Sequence, residues 1–341
     1  MRGGKWIIAA VLFVSRVSAL QYIGADISSV IQEERAGIVY KNQNGTIKPL
    51  EHILAENGFN MVRQRVWVTD GDHGIDYNLQ LAQRVVKYEA QALTYRASPP
   101  GWPTTDIDGL EQTIYKYTLD SLNRFAAAGL KPETVALGNE VNSGILVPVG
   151  GYDKPQNLSR LLKSASAAVM ASNLSPKPKR LLHLTLCCEP SIAEWWYDLV
   201  LANGLSLDDF DVHAHSMYPY WGENASFSNF LDLSARLKSK YGNKEVQVVE
   251  TGWPLACPNS EYKFPPDQTE IPWSSEGQEI YFQRMAKTLT AAGATGFNVR
   301  EPAWVRNYRL GSTCAYAIMF DQQGAALDSF SVFKSLAGNA A

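Results

Sequence analysis

No stretch of this 341-residue chain stays apolar for the ~20 residues that a membrane-spanning helix needs. Charge of neither sign dominates: 31 Lys and Arg face 34 Asp and Glu, net −3, without blocks. Nothing in that balance points to nucleic acid or an anionic membrane as partner. The sharp Gly-x-Ser-x-Gly turn of a serine hydrolase is absent, and Ser216, behind His213 and His215, lacks that context. So is the His-Glu-x-x-His pair of a zinc hydrolase. Cysteine is sparse, at four residues. Cys187 and Cys188 are adjacent and follow His183, but no second Cys/His cluster accompanies them, so neither a metal nor another cofactor is expected.

The first nineteen residues have the makings of an export signal. Arg2 and Lys5 precede an apolar stretch, Trp6 to Val14, and Val17-Ser-Ala19 supplies a small-residue cleavage site. A secreted protein is the expectation, with residues 20–341 as one domain and a monomer as its state. Sequons at Asn44, Asn157, Asn173 and Asn224 fit glycosylation of an exported surface. Cys257 and Cys314 lie in late loop regions rich in Pro and Gly, where a disulfide is expected. Closing that loop is worth roughly 4 kcal/mol by chain entropy. Nine Trp and sixteen Tyr suit a cleft that stacks sugar rings, although large cores use the same residues.

Strand-like runs alternate with helical patterns along the chain. The runs are Tyr22–Ile27, Met61–Val68, Ala92–Tyr95, Thr134–Leu137, Arg180–Leu186, Val212–Ser216, Glu245–Val249 and Gly296–Val299. Amphipathic segments lie between them at Tyr77–Gln91, Ile107–Ala128, Gln156–Ala171, Phe227–Tyr241 and Ser274–Ala292. Eight such units predict an α/β fold, a (β/α)8 TIM barrel in a single domain. The third βα unit is shortened and poorly apolar. An open doubly wound sheet is the alternative, but Gly24-Ala-Asp26 is not the Gly-rich phosphate turn it would carry.

Two runs end on glutamate: Thr134-Val-Ala-Leu-Gly-Asn-Glu140 and Glu245-Val-Gln-Val-Val-Glu250. The C-terminal tips of barrel strands are where such folds keep their chemistry. Glycoside hydrolysis needs two carboxylates, ~5–5.5 Å apart when the configuration is retained. Glu140 is expected to carry the proton, with Glu250 as nucleophile. Asn139 would hold a sugar hydroxyl, and Arg65 would donate to Glu250 and keep it ionised. Each residue also has a bland reading. A glutamate after a strand often caps a helix, Arg65 can pair with any acid, and Trp253 and Trp304 can pack a rim. His213 and His215 are expected to face the barrel interior or rim, mainly as structural hydrogen-bonding groups.

These motifs resemble glycoside hydrolase family 53, the arabinogalactan endo-β-1,4-galactanases. The similarity runs from Leu20 onward through Gly24-Ala-Asp-Ile-Ser-Ser29, Val62-Arg-Gln-Arg-Val-Trp-Val68, Gly138-Asn-Glu140, Asp209-Phe-Asp-Val212, Val248-Val-Glu-Thr-Gly-Trp-Pro254, Glu301-Pro-Ala-Trp304 and Leu310-Gly-Ser-Thr-Cys314. The resemblance implies a secreted barrel that cleaves the β-1,4-galactan side chains of pectin with retention. It places the acid/base on Glu140 and the nucleophile on Glu250. Asn139, Arg65, His183, Tyr218 and Trp253 match positions of its cleft motifs, and Trp304 is expected to bind substrate beside them.

The chain also departs from that pattern. The family's third-strand run is missing near Ala92–Pro100. Thr185-Leu-Cys-Cys188 replaces an Asp/Asn-Gly-Trp pattern. Val147 and Arg300 stand where tryptophan is expected, and Val299 where tyrosine is. Fewer aromatic platforms predict weaker binding of a neutral galactan. Arg300 is expected to lower the pKa of Glu140 and to oppose positive charge in the transition state. Another β-glycanase specificity of the same barrel clan, or a carbohydrate-binding relative with little or no activity, is the alternative.

Overall fold

The structure, a computed structural model, describes residues 20–85, 89–93, 99–185 and 189–338. The export signal at 1–19, the Cys187-Cys188 pair, and the expected strand positions Thr94, Tyr95 and Leu186 lie outside these residues.

Eight parallel strands close into a barrel: β1 (Tyr22–Asp26), β2 (Met61–Arg63), β3 (Glu89–Leu93), β4 (Thr134–Leu137), β5 (Lys179–Leu184), β6 (Val212–Met217), β7 (Glu245–Thr251) and β8 (Gly296–Val299). Each pairs with its neighbours in sequence, and β1 also pairs with β8, which excludes the open doubly wound sheet. The third unit differs from expectation. Helix Ile75–Arg84 stops seven residues before Gln91, and β3 begins at Glu89. The reason is tertiary: Glu89–Gln91 must pair with Met61–Arg63 while Gln91 and Leu93 pair with β4. That segment is too weakly apolar to show its strand on its own. The run from Met61 is also shorter than expected, because Gln64 to Val68 leave the sheet.

Side-chain alternation divides each strand between two environments. Ile23, Ala25, Val62, Leu137, Leu182, Val246, Val248 and Phe297 face the helix layer and join the main core. Ala136, Leu181, Val212, Ala214 and Val249 fill the barrel interior as a separate buried cluster. Gly24 also points inward, where a Cβ would collide with the Asn298 side chain.

The helices begin where the sequence supplies caps. Asp106 accepts from the backbone N–H groups of Asp108 and Gly109, ahead of helix Ile107–Ala127. Ser226 and Ser274 cap Phe227–Tyr241 and Ser275–Ala292 in the same way. Each such cap is worth about 1 kcal/mol. At the other end of helix Ser275–Ala292 Gly293 adopts the left-handed conformation, φ 61°, that stops it. Among the described helices none is long and apolar enough to cross a membrane.

Cys257 and Cys314 form the expected disulfide. They are buried with Tyr218, Tyr220, Leu310, Ala317 and Ile318, so the bridge ties the segments after β7 and β8 to the segment after β6. The sequons divide. Asn44, Asn173 and Asn224 are exposed. Asn157 instead lies in helix Pro155–Ala171 and donates to the carbonyl of Val149, and Ser159 is buried against Val200.

Replacing both Cys257 and Cys314 by serine should cost roughly 4 kcal/mol of stability, read as a lower midpoint in chaotrope unfolding. In a glycosylating host, peptide mapping should find glycan at one or more of Asn44, Asn173 and Asn224 and none at Asn157.

Candidate active site

Arg63 lies at the end of β2, with a side chain only 2 % exposed. Its Nη1 is 2.8 Å from Asp26 Oδ2 on β1 and 2.8 Å from Glu250 Oε1 on β7. Its Nη2 donates to Asn139 Oδ1, 3.0 Å away, just beyond β4. One guanidinium thus joins four strand ends across the barrel mouth. Its fixed fork can do this where a lysine ammonium cannot.

Glu250 reaches the mouth through an irregularity in its strand. Val246 and Val248 face the helices, so strict alternation would send Glu250 outward with them. The pairing with β6 instead steps from His215↔Val248 to Ser216↔Glu250, and that with β8 from Phe297↔Val248 to Val299↔Thr251. Both neighbours see one extra residue on β7, a β-bulge that turns Glu250 inward beside Ser216.

Glu140 is placed by strain of another kind. Gly138 and Glu140 both have positive φ, 115° and 49°. A non-glycine residue in that region costs of order 1–3 kcal/mol. Glu140 Oε1 accepts from Ser216 Oγ at 2.8 Å, and Ser216 Oγ is 2.8 Å from His183 Nε2. Ser216 is the direct cross-strand partner of Glu250. Asn139, next to Glu140, shares Arg63 with Glu250. Two independent links therefore draw both glutamates to one opening.

Their surroundings differ chemically. Burial alone would raise the pKa of Glu250, but Arg63, Arg300, His183 and the Tyr218 hydroxyl overcome it and hold the carboxyl below the usual range. Tyr218 donates to Glu250 Oε2 at 2.7 Å; its burial and the neighbouring Glu250 charge raise its own pKa well above that of a free phenol. The phenol stays a donor and Glu250 stays an anion.

The sequence-derived roles need correction at Arg65, Trp253, His213 and His215. The donor to Glu250 is Arg63. Arg65 lies two residues past the end of β2 and instead pairs with Glu301 and, at 3.3 Å, with Asp26, above the Trp304 ring. Arg300 approaches Glu250, its Nε 3.9 Å from Oε2, and helps to lower the pKa of Glu250. Trp253 is 1 % exposed, donates to the Pro272 carbonyl and lies against Tyr281, so it has no open face for a sugar. His213 packs on Tyr197, Phe210 and Tyr241 in the helix layer, not in the barrel interior or at its rim. Among the described residues neither His213 nor His215 has a side-chain hydrogen-bond partner, and burial lowers both pKa values.

Asn139, His183, Tyr218, Glu140 and Glu250 gather as expected, while Trp304 stands at the edge, half-buried beneath Arg65. Arg63, Asp26, Ser216 and Glu301 belong to the same network and were not singled out. Alternation could have found the first two, since Ile23, Ala25 and Val62 leave Asp26 and Arg63 the inward face. Glu301, buried and at φ 41°, receives hydrogen bonds from Ser29. Burial and the Asp26 charge push its pKa up to about 7 against the pull of Arg65.

A profile for Glycosyl hydrolase family 53 matches residues 22–92 and 92–333. The chain belongs to glycosyl hydrolase family 53. The two matched segments meet at Ala92, in β3. An arabinogalactan endo-β-1,4-galactanase of Humicola insolens is 45 % identical over 332 residues, covering 92 % of this chain and 99 % of the relative. The enzyme of the same description from Thermothelomyces thermophilus is 43 % identical, covering 93 % and 100 %. Among solved structures, a fungal β-1,4-galactanase superposes with a TM-score of 0.89 at 43 % identity, covering 92 % of this chain and 99 % of that one. A family 53 catalytic domain from Ignisphaera aggregans gives 0.80 at 25 % identity, covering 97 % and 99 %.

Arg63→Met should lower kcat by at least ~10²-fold, since an uncompensated buried carboxylate is left behind. The remaining activity should fall away on its acid side at higher pH than in the native protein. Arg63 helps to hold Glu250 as an anion, and without it the pKa of Glu250 rises. An acid limb that does not move would remove Arg63 from this role. The raised pKa of Glu301 has the opposite sign. It contributes stability that is full below the ordinary glutamate range and lost as pH rises through about 7. The stability of the native protein relative to Glu301→Gln, from urea unfolding, should therefore decline between about pH 5 and 7.5.

Proposed function

We propose that this family 53 protein is a secreted, monomeric endo-acting hydrolase of β-1,4-galactan, working with retention of configuration. The observation that carries this reading is the convergence of Glu140 and Glu250 on one opening, with Glu250 held by Arg63 and by the Tyr218 phenol. In the first step Glu250 attacks the anomeric carbon while Glu140 gives its proton to the departing oxygen. A galactosyl ester on Glu250 results. In the second step Glu140 takes a proton from water, whose oxygen displaces Glu250 and restores both residues.

The network supports each role. Arg63 and Tyr218 hold one oxygen of Glu250 apiece, which fixes the nucleophile without a rotamer search. Ser216, oriented by His183, fixes the carboxyl of Glu140. Asn139, next to Glu140 and held by Arg63, serves a sugar hydroxyl. The expected retaining separation is ~5–5.5 Å. Arg300 favours slow turnover of a neutral polymer, because a cation beside Glu250 opposes the charge that develops at the anomeric carbon.

Reducing-sugar release from β-1,4-galactan, against xylan, mannan and β-glucan, tests the reading. Galactan alone should be cleaved. Glu250→Ala should abolish release by a factor on the order of 10⁴ or more. Glu140→Ala should lose ~10²–10⁴-fold on galactan and much less on an aryl galactoside, whose leaving group needs no proton. Residual galactan hydrolysis in Glu250→Ala at the native level would remove it as nucleophile.

A further inference from the structure

Three guanidiniums meet at this mouth, and two of them are spent. Arg63 divides itself between Asp26, Glu250 and Asn139, and Arg65 between Asp26 and Glu301. Arg300 differs. Its one carboxylate contact is the long approach of Nε to Glu250 Oε2, 3.9 Å, and that oxygen already accepts from Tyr218. Among the described residues, its terminal Nη1 and Nη2 groups have no hydrogen-bond or ion-pair partner. Its side chain is 26 % exposed, enough for a ligand to reach.

The group is nevertheless held in place. The Arg300 backbone N–H donates to the Thr251 carbonyl at 2.9 Å, and its guanidinium lies 5.8 Å from the centre of the Tyr218 ring. Tyr218 is fixed in turn by Glu250 and by its packing around the Cys257–Cys314 disulfide. An arginine whose stem is fixed and whose fork is unmatched is built to receive a planar anion with two oxygens. Such a fork beside a neutral sugar would leave a poorly hydrated cation near developing positive charge. A carboxylate on the sugar removes both penalties.

We propose that Arg300 makes the sugar site against Glu250 selective for a uronosyl unit, a hexose whose primary alcohol is replaced by a carboxylate. The selectivity rests on the reading that a sugar binds against Glu250, and it adds to galactan cleavage a preference for galactan carrying or bordering uronate. No new chemistry is required. Glu250 and Glu140 do what they do for a neutral sugar, and Arg300 pairs with the substrate carboxylate.

Calorimetric titration of the native protein with D-galacturonate and D-galactose at pH 6 reads this directly. Galacturonate should bind at least tenfold more tightly, and the advantage should shrink as sodium chloride rises from 20 to 500 mM. Arg300→Gln should bind the two sugars equally, and Arg300→Lys should keep part of the preference. Equal binding by the native protein, or a preference unchanged in Arg300→Gln, overturns the assignment. Should Arg300→Gln fail to fold, the native selectivity and Arg300→Lys decide. Failure of the galactanase reading is separately visible. In that case Glu250→Ala would leave galactan cleavage unaltered, whatever the sugar preference.

Discussion

The constraint on which the mouth of this barrel depends is the buried guanidinium of Arg63. It binds carboxylates on β1 and β7 and the amide of Asn139, so the positions of Asp26, Glu250 and the Glu140 segment are mutually fixed. An unpaired charge at that depth would cost several kcal/mol. Two carboxylates and an amide compensate it. The same contacts that stabilise Arg63 keep Glu250 ionised, so structural and chemical requirements coincide in one residue.

Around that hub the backbone departs from regularity at both glutamates. β7 carries an extra residue that turns Glu250 inward, and Glu140 occupies a left-handed conformation. Glu301, on the far side of the network, shares that conformation. Barrel strands in their regular register would deliver Glu250 to the helix layer. Distortion of the strand ends is therefore how a symmetric scaffold acquires an asymmetric site. The disulfide and the buried Tyr218–Tyr220 cluster brace one wall of the opening, connecting the stability of the outer loops to the orientation of Glu250.

Much of this was legible in the chain. Seven of the strands, the helices at Ile107–Ala127, Pro155–Ala171, Phe227–Tyr241 and Ser275–Ala292, and the strand-tip glutamates follow from local apolar runs, caps and glycine stops. β3 was legible only in part. Its segment is weakly apolar, and its bounds follow from pairing with β2 and β4 rather than from its own residues. The choice of Arg65 over Arg63 failed for a related reason. Both have inward parity, and only the end of β2 decides which one lies level with Glu250. Trp253 shows the reverse limit, since a tryptophan after a catalytic strand reads as a sugar platform until its burial against Tyr281 is seen.

The sequence by itself determined the barrel, the candidate disulfide pair and the two strand-tip glutamates, because these depend on periodicity, residue type and position along each strand. Only the tertiary structure decided which cation serves which carboxylate, which way Glu250 turns and what Arg300 is left to bind. Those outcomes depend on register across strands far apart in the chain. A single inserted residue in β7 changes the face on which a side chain emerges, and no local pattern records which neighbour it then meets.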